Sequence, residues 1–184
     1  MNYPIVKRAT RAYLEEMANR AHEMPEYYKC INTIQNTPFI VNKRTLQVMK
    51  TLYHKKLPIA GLPPYKLELP IKPHDIATNE EARKQYSHKK RSVHDYNSTI
   101  DSKFLHIEKI FSVADTYENF MEFYFPMQYD NRQRIYCVPE GLNYQECDLA
   151  KGLLLFANGK RIEGIGAVRK LDIHGANMYG HDKD

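Results

Sequence analysis

The sequence predicts an α+β protein that is mostly helical, with a helical N-terminal segment, a two-helix hairpin, and a small antiparallel β element followed by further helices. Apolar side chains recur at helical spacing along most of the chain and alternate only around residues 123–136. The 184 residues, 42% hydrophobic and 27% charged, suffice for one moderate core. Three cysteines without a CxxC pair favour a reducing compartment, and no apolar run has the length of a membrane helix.

Three helices are predicted in the first third of the chain, near residues 6–22, 25–36 and 42–55. Asn42 is the expected N-cap of the third helix, because its side chain can accept from a backbone N–H that lacks a partner in the first turn. Apolar residues then follow on one face of this helix at Leu46, Met49 and Tyr53.

A proline-rich stretch, LPIAGLPPYKLELPIKP at residues 57–73, contains five of the ten prolines. Proline removes a backbone donor and disfavours a helix at the preceding residue. The stretch is therefore predicted to connect two helical blocks.

Two long helices joined by a turn around Asn97 are predicted after this connector. Asn79 can cap the first helix, which would run to about Tyr96, and Ser98 or Thr99 would begin the second. The second helix has the 4-3-4-3 spacing of a helix that packs on another helix, at Ile100, Phe104, Ile107, Phe111 and Ala114.

The segment EFYFPMQYDNRQRIYCV, residues 122–138, is predicted to form a strand, a polar turn and a second strand. Its apolar residues alternate, which places Phe123, Phe125 and Met127 on one face. Helices near 148–157 and 164–180 complete the predicted elements.

Sequence motifs exclude several kinds of chemistry. The chain has no GxSxG, P-loop or GxGxxG motif, and none of its serines or cysteines lies in a recognisable nucleophile context. His174 and His181 are seven residues apart, and a solvated or helix-packed pair explains them better than a metal site. The net charge is +5, and the first 60 residues alone carry +6. This balance fits a polyanionic partner, although many proteins without one are equally basic.

A basic stretch with no acidic residue lies in the first predicted helix after the connector. It has two interpretations: a solvated helix face, or a surface that follows a nucleic acid backbone with Tyr86 and Tyr96 interleaved. Its members are Arg83, Lys84, His88, Lys89, Lys90, Arg91 and His94, and the next acidic residue is Asp95.

A second basic stretch lies at the tip and return strand of the predicted β-hairpin. Two arginines on a rigid turn are well placed for bidentate contacts to phosphate. The alternative is an intramolecular ion pair between Asp130 and Arg134. The stretch consists of Asp130, Asn131, Arg132, Gln133, Arg134, Ile135 and Tyr136.

Five ordered blocks resemble the single-subunit DNA-dependent RNA polymerases of phages and mitochondria. Three are FPMQYDNRQRIYCV, CDLAKGLLLFANGKRI and KLDIHGANMYGHDK, and two lie upstream, MPEYYKCINTIQNTPFIVNKRTLQVM and LPIKP. The resemblance implies three regions: residues 1–77 as the end of the N-terminal domain with the connector, 78–118 as the helical-hairpin thumb, and 119–184 as the beginning of the palm.

The resemblance also implies roles for individual residues. The family's Asp-x-x-Gly-Arg motif corresponds to Asp130–Arg134, with Gln133 in place of the glycine, and its arginine holds the template and the RNA–DNA hybrid. Lys183 corresponds to a lysine that contacts the triphosphate of the incoming nucleotide. The residues implied to bind template or hybrid are Asp130, Arg132, Arg134, Tyr136, Lys151 and, on the thumb, Lys84, Lys89, Lys90 and Arg91.

The family's metal-binding aspartates do not occur in these residues, since Asp182 and Asp184 do not match that pair. The resemblance therefore implies one chain of a split phage polymerase, or else a fragment of a longer polymerase, in either case inactive alone. Its Mg²⁺ is then bound by another chain or by missing sequence. The expected partners are DNA template, hybrid, nucleoside triphosphates and a second polymerase subunit, without a membrane, in the cytoplasm of an infected bacterium. The alternative is a non-catalytic nucleic-acid-binding protein that retains a polymerase thumb.

A second subunit would need an apolar surface on which to dock. A palm interrupted after its first strands is expected to expose Phe123, Phe125, residues 153–156 and the helix at 164–180. This predicts association over more than ~2,000 Å².

Overall fold

Helices dominate the structure, a computed structural model that describes residues 4–180. This confirms the mostly helical α+β class. A short 3₁₀ turn links the first two helices. The helices are α1 (Arg11–Asn19), α2 (Pro25–Gln35), α3 (Lys43–His54), α4 (Glu80–Tyr117), α5 (Asp148–Gly152) and α6 (Ile165–Tyr179). The strands are β1 (Phe39–Val41), β2 (Met127–Tyr129), β3 (Ile135–Cys137) and β4 (Leu154–Phe156).

The strands form two antiparallel pairs. The predicted hairpin is confirmed as β2 paired with β3, with Met127 opposite Cys137. The second pair joins β1 to β4, with Phe39 opposite Phe156, and was not predicted. The N-terminal segment adds to the outer edge of β2, where Lys7 N–H donates to the Tyr129 carbonyl at 2.7 Å.

The core lies between the second half of α4 and the strands. Ile107, Phe111 and Ala114 of α4 are buried, as the 4-3-4-3 spacing of this region predicts. Ile110 is completely buried as well, although that spacing does not include it. Opposite them, the ring of Phe39 lies 5.1 Å from that of Phe125 and 5.4 Å from that of Tyr144. These contacts connect β1 to the residues that lead into the hairpin.

Both predicted helix caps are confirmed. The side chain of Asn42 accepts from the Thr45 N–H at 3.1 Å and begins α3, whose Leu46 and Met49 are buried. Asn79 accepts from the Ala82 N–H at 3.1 Å and begins α4. These local interactions need no tertiary partner, which explains why the sequence identifies them.

The two-helix hairpin with a turn at Asn97 is wrong. Residues 80–117 form one continuous helix of 38 residues, and this stretch contains neither glycine nor proline. The Asn97 side chain does not turn back on its own backbone to break the helix. It bonds instead to both backbone polar groups of Leu67 in the connector, at 2.9 Å each. The element that runs beside α4 is therefore the proline-rich connector.

Two other boundaries also differ from the prediction. The expected helix at 148–157 ends at Gly152, because residues 154–156 pair with β1 as β4. The expected helix at 6–22 is shorter, since residues 5–7 bond to Tyr129 and α1 covers Arg11–Asn19. In both cases pairing with distant residues replaces a locally predicted helix.

The expected apolar docking surface is smaller than predicted. Phe123, Phe125, Leu153 and Leu154 are buried within the chain, where Phe123 packs on Tyr117 at 5.1 Å between ring centroids. Leu155, Phe156 and the apolar side chains of α6 are exposed, as predicted. Over the described range 4–180, no helix combines the length and apolar character needed to cross a membrane.

Candidate nucleic-acid interface

The turn between β2 and β3 is closed by the carboxylate of Asp130. Its Oδ1 accepts from the backbone N–H groups of Arg132 at 2.8 Å and Arg134 at 2.9 Å. The Asp130 N–H donates to the Arg134 carbonyl at 2.8 Å. These bonds lower the pKa of Asp130, chiefly through the Arg134 N–H, because they favour the charged carboxylate.

Gln133 occupies a backbone conformation that favours glycine. Its φ is +64°, in the left-handed region, where a side chain with a Cβ is disfavoured. Gln133 stands where the Asp-x-x-Gly-Arg pattern has its glycine. The turn therefore keeps the glycine-like geometry despite the substitution, and the Gln133 N–H still donates to the Asp130 carbonyl at 3.1 Å.

The guanidinium groups of Arg132 and Arg134 are accessible to solvent, although their charges also help to lower the pKa of Asp130. Both side chains are exposed, and neither forms a hydrogen bond or ion pair with any residue in the range 4–180. The alternative of an Asp130–Arg134 ion pair is wrong, since Asp130 binds the backbone of Arg134 instead. Two planar cations thus project from a rigid turn, and their donors can bind a ligand.

Polar side chains brace the hairpin from both sides. Gln35 of α2 accepts from the Met127 N–H at 2.8 Å, and the Tyr129 hydroxyl donates to the Tyr27 carbonyl at 3.0 Å. Gln145 accepts from the Cys137 N–H at 2.7 Å and donates to the Ile135 carbonyl at 2.9 Å. Sequence reasoning missed both glutamines, because only the tertiary fold brings them to the strands.

Burial shifts the pKa values of two groups in the hairpin. Burial, and secondly a hydrogen bond with the Cys30 side chain, raises the pKa of Tyr129 to about 12. The Cys137 thiol is half-buried, which raises its pKa to about 11. Both groups stay protonated at neutral pH, and the hairpin presents them as neutral packing residues.

Tyr136 on β3 lies beside a basic residue from the N-terminal segment. Lys7 Nζ is 5.5 Å from the centroid of the Tyr136 ring, a cation–π distance. Lys7 is exposed, so it adds a third cation next to the hairpin. No sequence pattern indicates this contact, because the two side chains lie far apart in the chain.

A cavity of about 520 Å³ lies behind the turn. It is bounded by the N-terminal segment, α1, α2 and the turn, and four tyrosines contribute to its wall. The sequence did not indicate it. Its lining includes Tyr13, Met17, Tyr27, Tyr28, Tyr129 and Gln133.

The basic stretch predicted on the thumb occupies the first half of α4. Lys84 pairs with Glu80 at 3.0 Å, and Arg91 lies 3.9 Å from Asp95. Lys89 and Lys90 are exposed and have no such partner within residues 4–180. The stretch is therefore exposed to solvent, and two of its lysines form no ion pair within those residues.

The remaining predicted site residues lie apart from the hairpin. Lys151 is exposed on α5 and lies 3.4 Å from Asp148. Lys183, predicted to contact the triphosphate, lies outside the described residues, as do His181, Asp182 and Asp184. One hairpin thus brings together Asp130, Arg132, Arg134 and Tyr136. No hydrogen bond or ion pair within residues 4–180 joins them to Lys151, Lys84, Lys89, Lys90 or Arg91.

Residues 4–180 contain no cluster of side chains that could bind a metal ion. No group of three or more His, Cys, Asp or Glu side chains in that range could hold an ion. The Asp130 carboxylate is engaged by backbone N–H groups, and His174 is exposed on α6. These residues do not fit a magnesium ion.

Comparison with known proteins connects this chain to one enzyme class. No protein-family model matches the chain. It is 37% identical over 179 residues to the DNA-directed RNA polymerase of Enterobacteria phage K11, which is 96% of this chain and 19% of that protein. It is 38% identical over 162 residues to the DNA-directed RNA polymerase of Enterobacteria phage T3, covering 87% and 18%. The mitochondrial DNA-directed RNA polymerase of Neurospora crassa is 29% identical over 178 residues, covering 96% and 12%.

The chain spans about a fifth of the length of the phage polymerases that it matches. An alignment of 179 residues necessarily includes both the β2–β3 hairpin and the basic half of α4. The similarity therefore extends over both of the basic surfaces described above.

Proposed function

Since the chain belongs to the family of single-subunit DNA-directed RNA polymerases of phages and mitochondria, we propose that it forms a part of such an enzyme. This part holds the DNA template and the RNA–DNA hybrid and contacts the incoming nucleotide. One observation carries the proposal: Arg132 and Arg134 project exposed guanidinium groups from a turn that Asp130 holds rigid.

The hairpin is proposed to grip the sugar–phosphate backbone. A guanidinium group offers a planar fork of donors that matches two phosphate oxygens at once. Because Asp130 fixes the backbone of both arginines, less conformational entropy is lost when they bind. Tyr136, with Lys7 beside its ring, lies on the adjoining strand and extends the same surface.

The basic half of α4 is proposed to act as the thumb. Lys84, Lys89, Lys90 and Arg91 lie along an exposed helix, where they can follow successive phosphates of the hybrid. This contact carries no sequence information, so it serves retention of the hybrid instead of promoter choice.

Catalysis of phosphodiester formation is proposed to depend on other polypeptide. Two-metal nucleotidyl transfer needs carboxylates that hold Mg²⁺, and residues 4–180 contain no such cluster. We propose that a second polymerase segment or subunit supplies these carboxylates. Lys183 then contacts the triphosphate, and Lys151 lines the active-site cavity in which Arg134 holds the template. Both lysines act through positioning and charge.

The proposed layout follows from these roles. In this layout, the last part of the N-terminal domain and the connector are residues 1–77. The thumb is residues 78–118, and the first part of the palm is residues 119–184. The thumb consists of α4 with the connector alongside, in place of two helices. The site of action is proposed to be the cytoplasm of a phage-infected bacterium.

Binding of a labelled RNA–DNA hybrid to the full chain tests the proposal. We expect Arg132→Gln/Arg134→Gln to weaken binding about 100-fold or more, because two charge-assisted contacts are lost. Arg44→Gln on α3 is the matched control, since it removes one exposed arginine away from the hairpin. Equal affinity of the double variant and the wild type would contradict the proposal.

A complementation assay separates an enzyme part from a simple binding protein. The chain is mixed with a polymerase segment that carries the metal-binding aspartates, and primer extension is measured. Extension that requires both polypeptides supports the polymerase role. Hybrid binding without any extension favours the alternative, a non-catalytic nucleic-acid-binding protein.

A further inference from the structure

The proline-rich connector is fastened to α4 near the middle of the helix. Asn97 Oδ1 accepts from the Leu67 N–H, and Asn97 Nδ2 donates to the Leu67 carbonyl, each at 2.9 Å. One turn further along α4, Lys66 forms an ion pair with Asp101. The amide side chain thus satisfies both backbone polar groups of one connector residue, as a neighbouring strand would.

This fastening coincides with a boundary in the packing of α4. From Ile100 onward the helix contributes five buried side chains, and Ile100 itself is 1% exposed. Before that point, the segment Glu80–Tyr96 has no fully buried side chain, and only Ala82, Tyr86 and Val93 are partly buried. The segment extends roughly 25 Å at 1.5 Å per residue. Packing on the core therefore determines the position of only the second half of the helix.

The half of α4 without fully buried side chains is also the basic half. Its cations outnumber its acidic residues, and Lys89 and Lys90 have no ion-pair partner within residues 4–180. We call residues 80–96 the lever, because a small change in the direction of this segment where it leaves the core moves both lysines by several ångströms. The direction of the lever thus decides which phosphates they can reach.

We propose that Asn97 and the Lys66–Asp101 pair are positioning residues that set the direction in which residues 80–96 leave the core. The connector bonds to Asn97 through Leu67, and this contact lies at the end of the lever next to Ile100, where packing on the core begins. The direction of the helix is measurable without nucleic acid, whereas its consequence for the hybrid rests on the proposed function.

Pulsed electron paramagnetic resonance measures this direction. Spin labels are attached through a ketone amino acid at Gln85 on the lever and at Gln47 on α3, so that the three cysteines stay unlabelled. We expect a single narrow distance distribution in the otherwise unchanged chain. Asn97→Ala should raise the population of other distances roughly five- to 150-fold, because two hydrogen bonds are lost.

Two further variants refine the test. Asn97→Asp keeps an acceptor for the Leu67 N–H but cannot donate to its carbonyl, so an intermediate broadening is expected. Ser98→Ala is the matched control, since it raises helix propensity at the neighbouring exposed position without touching the connector. A narrow distribution in Asn97→Ala, unchanged from the wild type, overturns the proposal.

Reversing the charges of the Lys66–Asp101 ion pair tests whether the pair itself keeps the distance distribution narrow. Lys66→Asp should broaden the distribution, because the introduced carboxylate would repel Asp101. Lys66→Asp combined with Asp101→Lys should restore the narrow distribution by reversing the pair. Because these are exposed side chains, folding is preserved even where an Asn97 variant unfolds. Broadening that the double variant leaves unrepaired overturns the role of the pair.

Hybrid retention separates this inference from the proposed function. Dissociation of a labelled RNA–DNA hybrid is compared for Asn97→Ala and for Lys89→Ala/Lys90→Ala. Faster dissociation in both variants supports both ideas. If only the lysine variant releases hybrid faster, the thumb function stands, and the proposed effect of Asn97 on hybrid retention is overturned. If neither variant changes release while distances broaden, the thumb function fails and the mechanical role of Asn97 stands.

Discussion

Asp130 and Arg134 close the β2–β3 turn through the backbone of the arginine alone. The Asp130 N–H donates to the Arg134 carbonyl at 2.8 Å, and the Arg134 N–H donates to Asp130 Oδ1 at 2.9 Å. The guanidinium of Arg134 takes no part in closing the turn. The same residue can therefore shape the hairpin and present an exposed cation.

The pH dependence of folding should report this arrangement. The pKa of Asp130 is lowered from its ordinary value of 3.8 by the Arg134 N–H, so the unfolded chain binds this proton more tightly than the folded chain. The turn then contributes its full stability above pH 3.8 and loses it as the pH falls through the lowered folded-state pKa. Asp130→Asn keeps an acceptor oxygen without titrating, so this fall should be absent. Unfolding by urea between pH 2 and 7 measures it, and Asp172→Asn on α6 is the control. If the free energy of unfolding depends on pH in the same way in Asp130→Asn and the wild type, the Asp130 carboxylate does not stabilise the turn.

Gln133→Gly should stabilise the protein. A residue with a Cβ pays roughly 1–2 kcal/mol in the left-handed region, whereas glycine loses about 0.5–1 kcal/mol more backbone entropy on folding. With φ at +64°, we expect a net gain of about 0.5–1 kcal/mol in the free energy of unfolding. Asn131→Gly in the same turn, where φ is not positive, should instead destabilise. Urea unfolding measures both variants. If both glycine substitutions lower the free energy of unfolding equally, the backbone of Gln133 is not strained.

Arg134→Lys should weaken hybrid binding although it conserves charge. Lysine offers a point charge where the guanidinium offers two parallel donors, so we expect a loss of about 3- to 30-fold. Lys89→Arg on α4 is the converse control and should bind at least as well as the wild type, because no ion pair within the described residues is broken. Affinity is measured by fluorescence anisotropy at fixed salt. Unaltered affinity in Arg134→Lys would remove the case for a bidentate contact.

The salt dependence of binding should decrease when the two exposed lysines Lys89 and Lys90 of α4 are removed. Each phosphate contact contributes up to about one unit to the slope of log K against log salt concentration. Lys89→Ala/Lys90→Ala should therefore lower the slope by up to about two units, with no loss of helix, since alanine favours helices. Glu81→Ala on the same exposed half of the helix controls for the substitutions themselves. An unaltered slope assigns this half of α4 to a solvated face without a ligand.

Lys183→Ala should raise the nucleotide concentration that gives half-maximal extension in an active polymerase that contains this chain. Loss of one charge-assisted contact corresponds to roughly 10- to 150-fold, at about 1.4 kcal/mol per tenfold change. Hybrid affinity should stay near that of the wild type, because a flexible triphosphate is the proposed ligand. Lys160→Ala is the control. Unchanged nucleotide dependence would reduce Lys183 to a charged residue without this role.

Local features of the fold could be predicted because their causes are local. Asn42 and Asn79 cap helices through side chains that bond three residues ahead. The hairpin follows from alternating apolar residues on both sides of a polar turn, and its two arginines are visible as a pair. The pairing of β1 with β4 was missed because Phe39 and Phe156 lie far apart in the chain and neither strand exceeds three residues.

The sequence by itself determined the mostly helical class, the helix caps, the hairpin and the family to which the chain is related. Only the tertiary structure decided that Asn97 continues the helix and holds Leu67, and that Asp130 binds the backbone of Arg134 and leaves its guanidinium exposed. Asn, Asp and Arg each have several possible partners of similar energy, among them their own backbone, a distant segment and water. Which partner wins depends on where the core places the chain, and local spacing does not contain that information.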